Sequence, residues 1–304
     1  MVWRILAAFL LLMILGALLL PLDTAAHDRL QQAFWRFLHF PAMAVAVVLL
    51  AYVRSVRAND HLRNSFVLLL VAVPLIEALQ TLTGRTASWG DVFMGWAGVL
   101  AGGAILYGMR CPERSRRLFA MLLVVGLSVG SLAPSMAVAL DRRLAEDAFP
   151  LLASFSHPLE TGRWTANGCS IRRSDKHADF GEYTLSVTFS NETEYPGVFM
   201  TDFQSDWSDA KALTLRIYLE GDDKLTGWIR IDDKPEPAYG DRFQQPIELS
   251  PGANTLRIEL GRTLVTPRGR QLRADTIHTW GLFSERAAAG RTWYLDAAYL
   301  EHPE

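Results

Sequence analysis

The sequence predicts two dissimilar parts: an α-helical transmembrane bundle of about five helices, followed by an all-β jelly-roll sandwich. Three observations predict this. Long apolar runs fill the first 140 or so residues. The charged residues Asp, Glu and Lys then become frequent, with all four lysines (Lys176, Lys211, Lys224 and Lys234) in the second part. Finally, hydrophobic periodicity changes from about 3.6 to 2 near residue 160. Whole-chain figures of 50% hydrophobic and 20% charged residues over 304 positions average these halves. The division expected is 1–145 for the membrane domain, 146–158 for a linker and 159–304 for the outer domain.

The apolar stretches are 3–22, 38–53, 66–82, 92–109 and 118–140. A hydrocarbon core about 30 Å thick needs about 20 helical residues, so the second and fourth extend into their flanking turns. Arginines set the orientation. Arg4, Arg54, Arg57, Arg63, Arg110, Arg114, Arg116 and Arg117 fall on one side; Arg29, Arg36, Arg85, Arg142 and Arg143 fall on the other. The expectation is a multi-pass membrane protein, N-terminus in the cytoplasm and C-terminal domain outside. The first stretch also reads as a signal peptide ending near Thr24, Ala25 and Ala26.

A net charge of −2 gives no basic stripe to neutralise phosphates and argues against a nucleic-acid partner. Cys111 and Cys169 lie in different halves, so no disulfide is expected. Gly126, Ser128 and Gly130 fit G-x-S-x-G, but they sit in an apolar helix, without the strand–turn–helix context a nucleophile elbow needs.

Polar residues collect at the predicted outer rim. Glu77 and Gln80 share one face of the third helix, which Pro74 should kink. Arg85, Ser88 and Trp89 follow, and Asp91 suits the N-terminal dipole of the fourth helix. Gly95, Gly98 and Gly102 make a small-residue face for close helix approach. His39 lies at the same depth, and Arg85 is the partner expected for Glu77 and Asp91. Ionisable groups inside a membrane mark a functional site by default; the alternative is a salt-bridged brace.

His39, Glu77, Gln80, Arg85, Ser88, Asp91, Gly98 and Gly102, in this order and spacing, resemble the signature of the VanZ-like membrane proteins over residues 25–110. Gly95 replaces that family's usual Asn, and Trp35-Arg36 replaces its usual Asp-Lys. The resemblance implies cell-envelope business, with an association to antibiotic resistance, and no defined reaction.

In the second half, 183–189, 212–218, 227–231, 254–260 and 291–300 alternate as strands between Gly-, Asp-, Asn- and Pro-bearing turns. Trp228 and Trp293 fall among the core candidates. Asp206, Trp207, Asp232, Asp233, Asp241, Arg242, Phe243, Ile277, Trp280 and Asp296 follow an order similar to that of galactose-binding-like domains and carbohydrate-binding modules. That resemblance implies Trp164, Trp207, Tyr239, Asp241 and Arg242 as ligand contacts, and Glu160 with Asp296 as holders of a structural calcium. No other cofactor is expected.

Three functions stay open. The first is a non-enzymatic envelope protein that binds a saccharide or envelope polymer outside and an amphiphilic or lipid-linked ligand at the rim. The second is an enzyme on a lipid-linked saccharide, with Glu77 and Asp91 as acid and base. The third is a scaffold with a protein partner.

Overall fold

The computed structural model describes residues 2–19, 28–53, 59–83, 87–190, 192–285 and 289–302. Arg54, Arg57 and Arg85 lie outside the described residues, as do Thr24, Ala25 and Ala26. The chain divides into two compact units. One is 1–24 with 28–138; the other is 25–27 with 139–304.

The first unit is built from α1 (Val2–Leu19), α2 (Arg29–Val53), α3 (Asn59–Gln80), α4 (Trp89–Arg110) and most of α5 (Arg114–Ala148). Helix α2 starts well before the apolar run because the Asp28 carboxylate accepts the Leu30 and Gln31 N–H groups, an N-cap that makes the preceding polar turns helical. Five spans were expected. Among the described residues, three helices are long and apolar enough to cross a membrane: α2, α4 and α5. Described residues of α1 and α3 give shorter apolar helices, Ile5–Ile14 and Phe66–Gln80. Ser128 gives its Oγ–H to the Val124 carbonyl within α5, so the G-x-S-x-G segment is plain helix.

Packing in this unit is led by small residues. A Cβ on Gly98 would overlap the Phe40 carbonyl oxygen, and one on Gly102 would meet that of Ala44 at 2.6 Å, so α2 and α4 touch backbone to backbone. Gly95 faces α3 instead, where a Cβ would lie 2.7 Å from Val73. Met43, Val47, Leu69, Val73, Val92, Val99 and Leu106 fill the interior. Large apolar side chains such as Phe9, Val71, Leu75, Phe93, Phe119 and Leu122 point outward.

The second unit is a sandwich of two antiparallel sheets. Its strands are β1 (Leu151–Ala153), β2 (Trp164–Asn167), β3 (Cys169–Ser174), β4 (Thr184–Phe189), β5 (Gly197–Met200), β6 (Ala212–Leu219), β7 (Leu225–Asp232), β8 (Phe243–Leu249), β9 (Gly252–Glu259), β10 (Thr279–Phe283) and β11 (Thr292–Glu301). One sheet runs β3-β4-β11-β6-β9, with β1 also on β11; the other runs β2-β5-β10-β7-β8. Leu213, Leu215, Ile217 and Leu219 of β6 alternate into the core opposite Ile229 and Ile231 of β7, the period-2 pattern of a half-buried strand. The segment 146–158, read from sequence as a linker, contains the end of α5 and strand β1. Cys111 and Cys169 are both free thiols.

Candidate functional sites

In the helical unit the rim residues converge. His39 comes from the middle of α2, Glu77 from the last turn of α3 and Asp91 from the first turn of α4. All three are buried, at 7%, 4% and 6% exposure. One ligand atom from each lies within 4.8 Å of the other two. Ser88 caps α4, with its Oγ accepting the Gly90 N–H at 3.2 Å. The Ser88 N–H donates to Glu77 Oε1 at 2.6 Å, so a carboxylate of α3 satisfies a backbone donor at the start of α4. Asp91 sits where the α4 dipole stabilises negative charge.

His39 Nδ1 is 3.2 Å from the Trp35 carbonyl oxygen. A carbonyl only accepts, so Nδ1 carries a proton, and in the neutral ring Nε2 presents its lone pair. Nε2 is buried and makes no hydrogen bond among the described residues. Arg85, the expected partner of Glu77 and Asp91, is outside the described residues. The cation seen at Asp91 is Arg36, whose half-exposed guanidinium lies 3.3 Å away. Gln80 is fully buried one turn beyond Glu77.

The sandwich places its predicted ligand residues differently. Trp164 and Trp207 are core residues, at 6% and 1% exposure. Trp164 packs edge-on against Trp280 at 5.2 Å between ring centroids, and Trp207 gives its indole N–H to the Gln204 carbonyl. Neither offers a face to a ligand, because the inward phase of the strands and loop holds them inside. Trp293 is core as expected. Trp228 is not: Ile229 and Ile231 take the inward positions of β7, which turns Trp228 outward. Tyr239 is 73% exposed. Asp241 pairs with Arg270 at 2.6 Å and with Lys234, and Arg242 gives its Nε–H to the Pro237 carbonyl. Burial, then the nearby Arg230 charge, push the Arg242 guanidinium below its usual pKa.

The expected calcium holders have other work. Glu160 accepts the N–H groups of Ser154, Phe155 and His157 and the Ser156 hydroxyl, which closes the turn after β1. Asp296 is the extra residue of a bulge in β11, where the pairing with β6 shifts between Leu295 and Ala297. It accepts the Phe180 N–H at 2.9 Å and faces Arg216 at 3.6 Å; burial raises its pKa. Among the described residues, the trio of ligand-type side chains close enough for one ion is His39, Glu77 and Asp91.

What sequence reasoning missed is the outer face of the five-stranded sheet. Antiparallel registers put Asn167, Gly197, Phe283, Trp228 and Pro246 in one cross-strand row. The adjacent row is Thr165, Phe199, Gly281, Arg230 and Gln244. The two glycines make room for the neighbouring phenylalanines. A Cβ on Gly281 would meet Phe199 Cδ1 at 2.6 Å, and one on Gly197 would meet Phe283 Cβ at 2.5 Å. Phe199 and Phe283 stack with centroids 6.4 Å apart, Tyr195 adds an edge to Phe283, and Arg230 sits 5.6 Å above the Phe199 ring. Arg230 also pairs with Asp232 at 2.5 Å on the same face. A usable signal was the outward phase of Trp228 and Arg230 in an otherwise alternating strand.

No protein-family model matches this chain, and no curated protein sequence does. Solved structures are similar to about half of it. An exo-beta-agarase shares 14% identity over 51% of this chain and 25% of the agarase, with a TM-score of 0.42. A family 11 carbohydrate-binding module from Clostridium thermocellum, solved with a beta-1,3-1,4-mixed-linked tetrasaccharide, shares 18% identity over 50% of this chain and 94% of its own, with a TM-score of 0.39. A xylan-binding domain of carbohydrate-binding module family 22 gives 16%, 49%, 91% and 0.35. The chain thus spans about a quarter of the agarase and nearly the whole of either module.

Proposed function

We propose that this chain is a VanZ-like membrane protein of the bacterial cell envelope whose sandwich binds a saccharide polymer along the outer face of its five-stranded sheet. The observation that carries the proposal is the pair of neighbouring rows on that face. One is aromatic and flat (Phe283, Trp228), and the other alternates a ring with polar donors and acceptors (Phe199, Arg230, Gln244, Thr165). A pyranose has the matching chemistry, an apolar C–H face that stacks on a ring and a rim of hydroxyls that hydrogen-bond.

Membrane residence is supported by the inverted packing of the helical unit. It buries glycines and ionisable groups and turns leucine, phenylalanine and valine outward. Water would disfavour such a surface, and lipid would not. The arginine bias supports a cytoplasmic N-terminus and an outer sandwich. In this reading the rim residues face an amphiphilic or lipid-linked ligand.

The test uses the full-length protein in detergent against a glycan panel that includes mixed-linked glucan, xylan and agarose. Phe199→Ala and Phe283→Ala are expected to weaken binding by at least tenfold, with melting temperatures that remain cooperative. An inert panel, or undiminished binding by both variants, would remove the proposal.

A further inference from the structure

We infer that His39, Glu77 and Asp91 form a binding site for a divalent first-row transition metal ion, with Zn2+ as the probe. This goes beyond saccharide binding and does not depend on it. The inference stands on two independent observations. Three ligand-type side chains from three helices bring one atom each to within 4.8 Å of one another. His39 Nε2 is buried, makes no hydrogen bond among the described residues, and is fixed as the lone-pair nitrogen by the Nδ1–H bond to Trp35.

That second bond is the usual arrangement behind a metal-bound histidine, in which the outer nitrogen donates to a carbonyl and holds the ring's tautomer and angle. The donor set is one imidazole and two carboxylates. An imidazole nitrogen favours zinc and its first-row neighbours over calcium or magnesium, which prefer oxygen alone. Ligand atoms around tetrahedral zinc stand about 3.4 Å apart, so the present spacing closes by no more than about 1.4 Å. Side-chain rotation at Glu77 and Asp91 covers that distance.

The surroundings suit an ion. Asp91 lies in the first turn of α4, where the helix dipole favours negative charge, and the Ser88 N–H orients the Glu77 carboxylate beside it. Arg36 reaches Asp91 with a half-exposed side chain that passes over Gly90. Gly98 and Gly102 set the α2–α4 distance that brings His39 to Asp91. Three protein ligands leave a fourth position for water or for an oxygen of a ligand, as in open zinc sites.

The experiment uses tag-free, full-length protein in detergent, stripped with a chelator and desalted after exposure to Zn2+. Wild type is expected to retain one zinc per chain and to melt at a higher temperature with zinc than without. His39→Ala should bind at least tenfold more weakly and lose the zinc-dependent shift, while metal-free melting stays near wild type. Should that variant not fold, Co2+ added to wild type gives a visible absorption spectrum that Glu77→Gln and Asp91→Asn are expected to alter. Wild type that retains no zinc, or a folded His39→Ala that binds it as tightly, would overturn the inference; so would a cobalt spectrum indifferent to both carboxylate changes.

Discussion

The indole N–H of Trp96 donates at 2.9 Å to the carbonyl of Leu70, the oxygen that Pro74 leaves without its helical donor. A proline inside a helix removes the N–H that would bond the carbonyl four residues earlier, and here α4 supplies the replacement. Trp96→Phe should lower stability in detergent by about 1 kcal/mol, the usual scale for a bond between membrane helices. Pro74→Ala restores the local N–H, so the same Trp96 change made in that background should cost less. A double-mutant cycle of melting temperatures checks this. Equal costs in both backgrounds would mean that the two residues are unrelated.

Arg163 and Asp141 are a second structural pair. The guanidinium sits at 3.1 Å from both carboxylate oxygens through Nε and also binds the Asp141 carbonyl, with both side chains almost fully buried. Removal of one partner leaves the other charge buried, at a cost of about 3–5 kcal/mol. Arg163→Met should therefore lower the denaturation midpoint followed by tryptophan fluorescence. Arg163→Met combined with Asp141→Leu should recover part of the loss.

Gly281→Ala should destabilise the sandwich by about 1–3 kcal/mol, the range for forced overpacking. Its Cβ would overlap the Val198 carbonyl oxygen and lie 2.6 Å from the Phe199 ring. The ring must lift from the sheet, so saccharide binding should fall together with the melting temperature. Gly181→Ala is the control for added bulk alone, because a Cβ there would meet only the Ser154 carbonyl oxygen, at an ordinary 3.5 Å.

Acid stability should depend on the cluster around Arg270. Burial pushes the Asp233 carboxyl up, but hydrogen bonds from Arg270 and the Arg273 N–H bring it below its ordinary value of 3.8; Lys234 and Arg270 do the same for Asp241. A folded-state pKa below the unfolded one means that the unfolded chain binds protons first. The stabilisation is therefore complete above about pH 4 and is lost as pH falls through the folded values. Asp232 acts in the opposite sense, since burial raises its pKa despite Arg230. Arg270→Gln should flatten the acid limb of melting temperature against pH below about 4, with little change in slope above about 5.

Much of this architecture is legible in the sequence where one physical pattern dominates. The strand at 212–218 alternates strictly, and β6 runs Ala212–Leu219. The glycine face of α4 was readable because close helix approach needs missing side chains, and Gly98 and Gly102 do meet α2. The convergence of His39 on Glu77 and Asp91 was readable only as shared depth. Whether three helix positions meet depends on crossing geometry, which spacing along one helix does not encode. Phe199 and Phe283 were not legible at all: each sits in a short strand, and only the register between β5 and β10 makes them neighbours. Asp141 was hidden for a related reason, since its partner follows a turn and a strand that sequence read as a linker.

Gly197 and Gly281 leave two side chains missing from the sheet face, beside Phe283 and Phe199, and lower its relief there. A saccharide bound as proposed would lie along these rows, held by repeated contacts and not by its end. Such a surface grips the interior of a long chain as readily as its tip. Its affinity should grow as successive units cover the rows, then level off, and chemical capping of the chain ends should matter little.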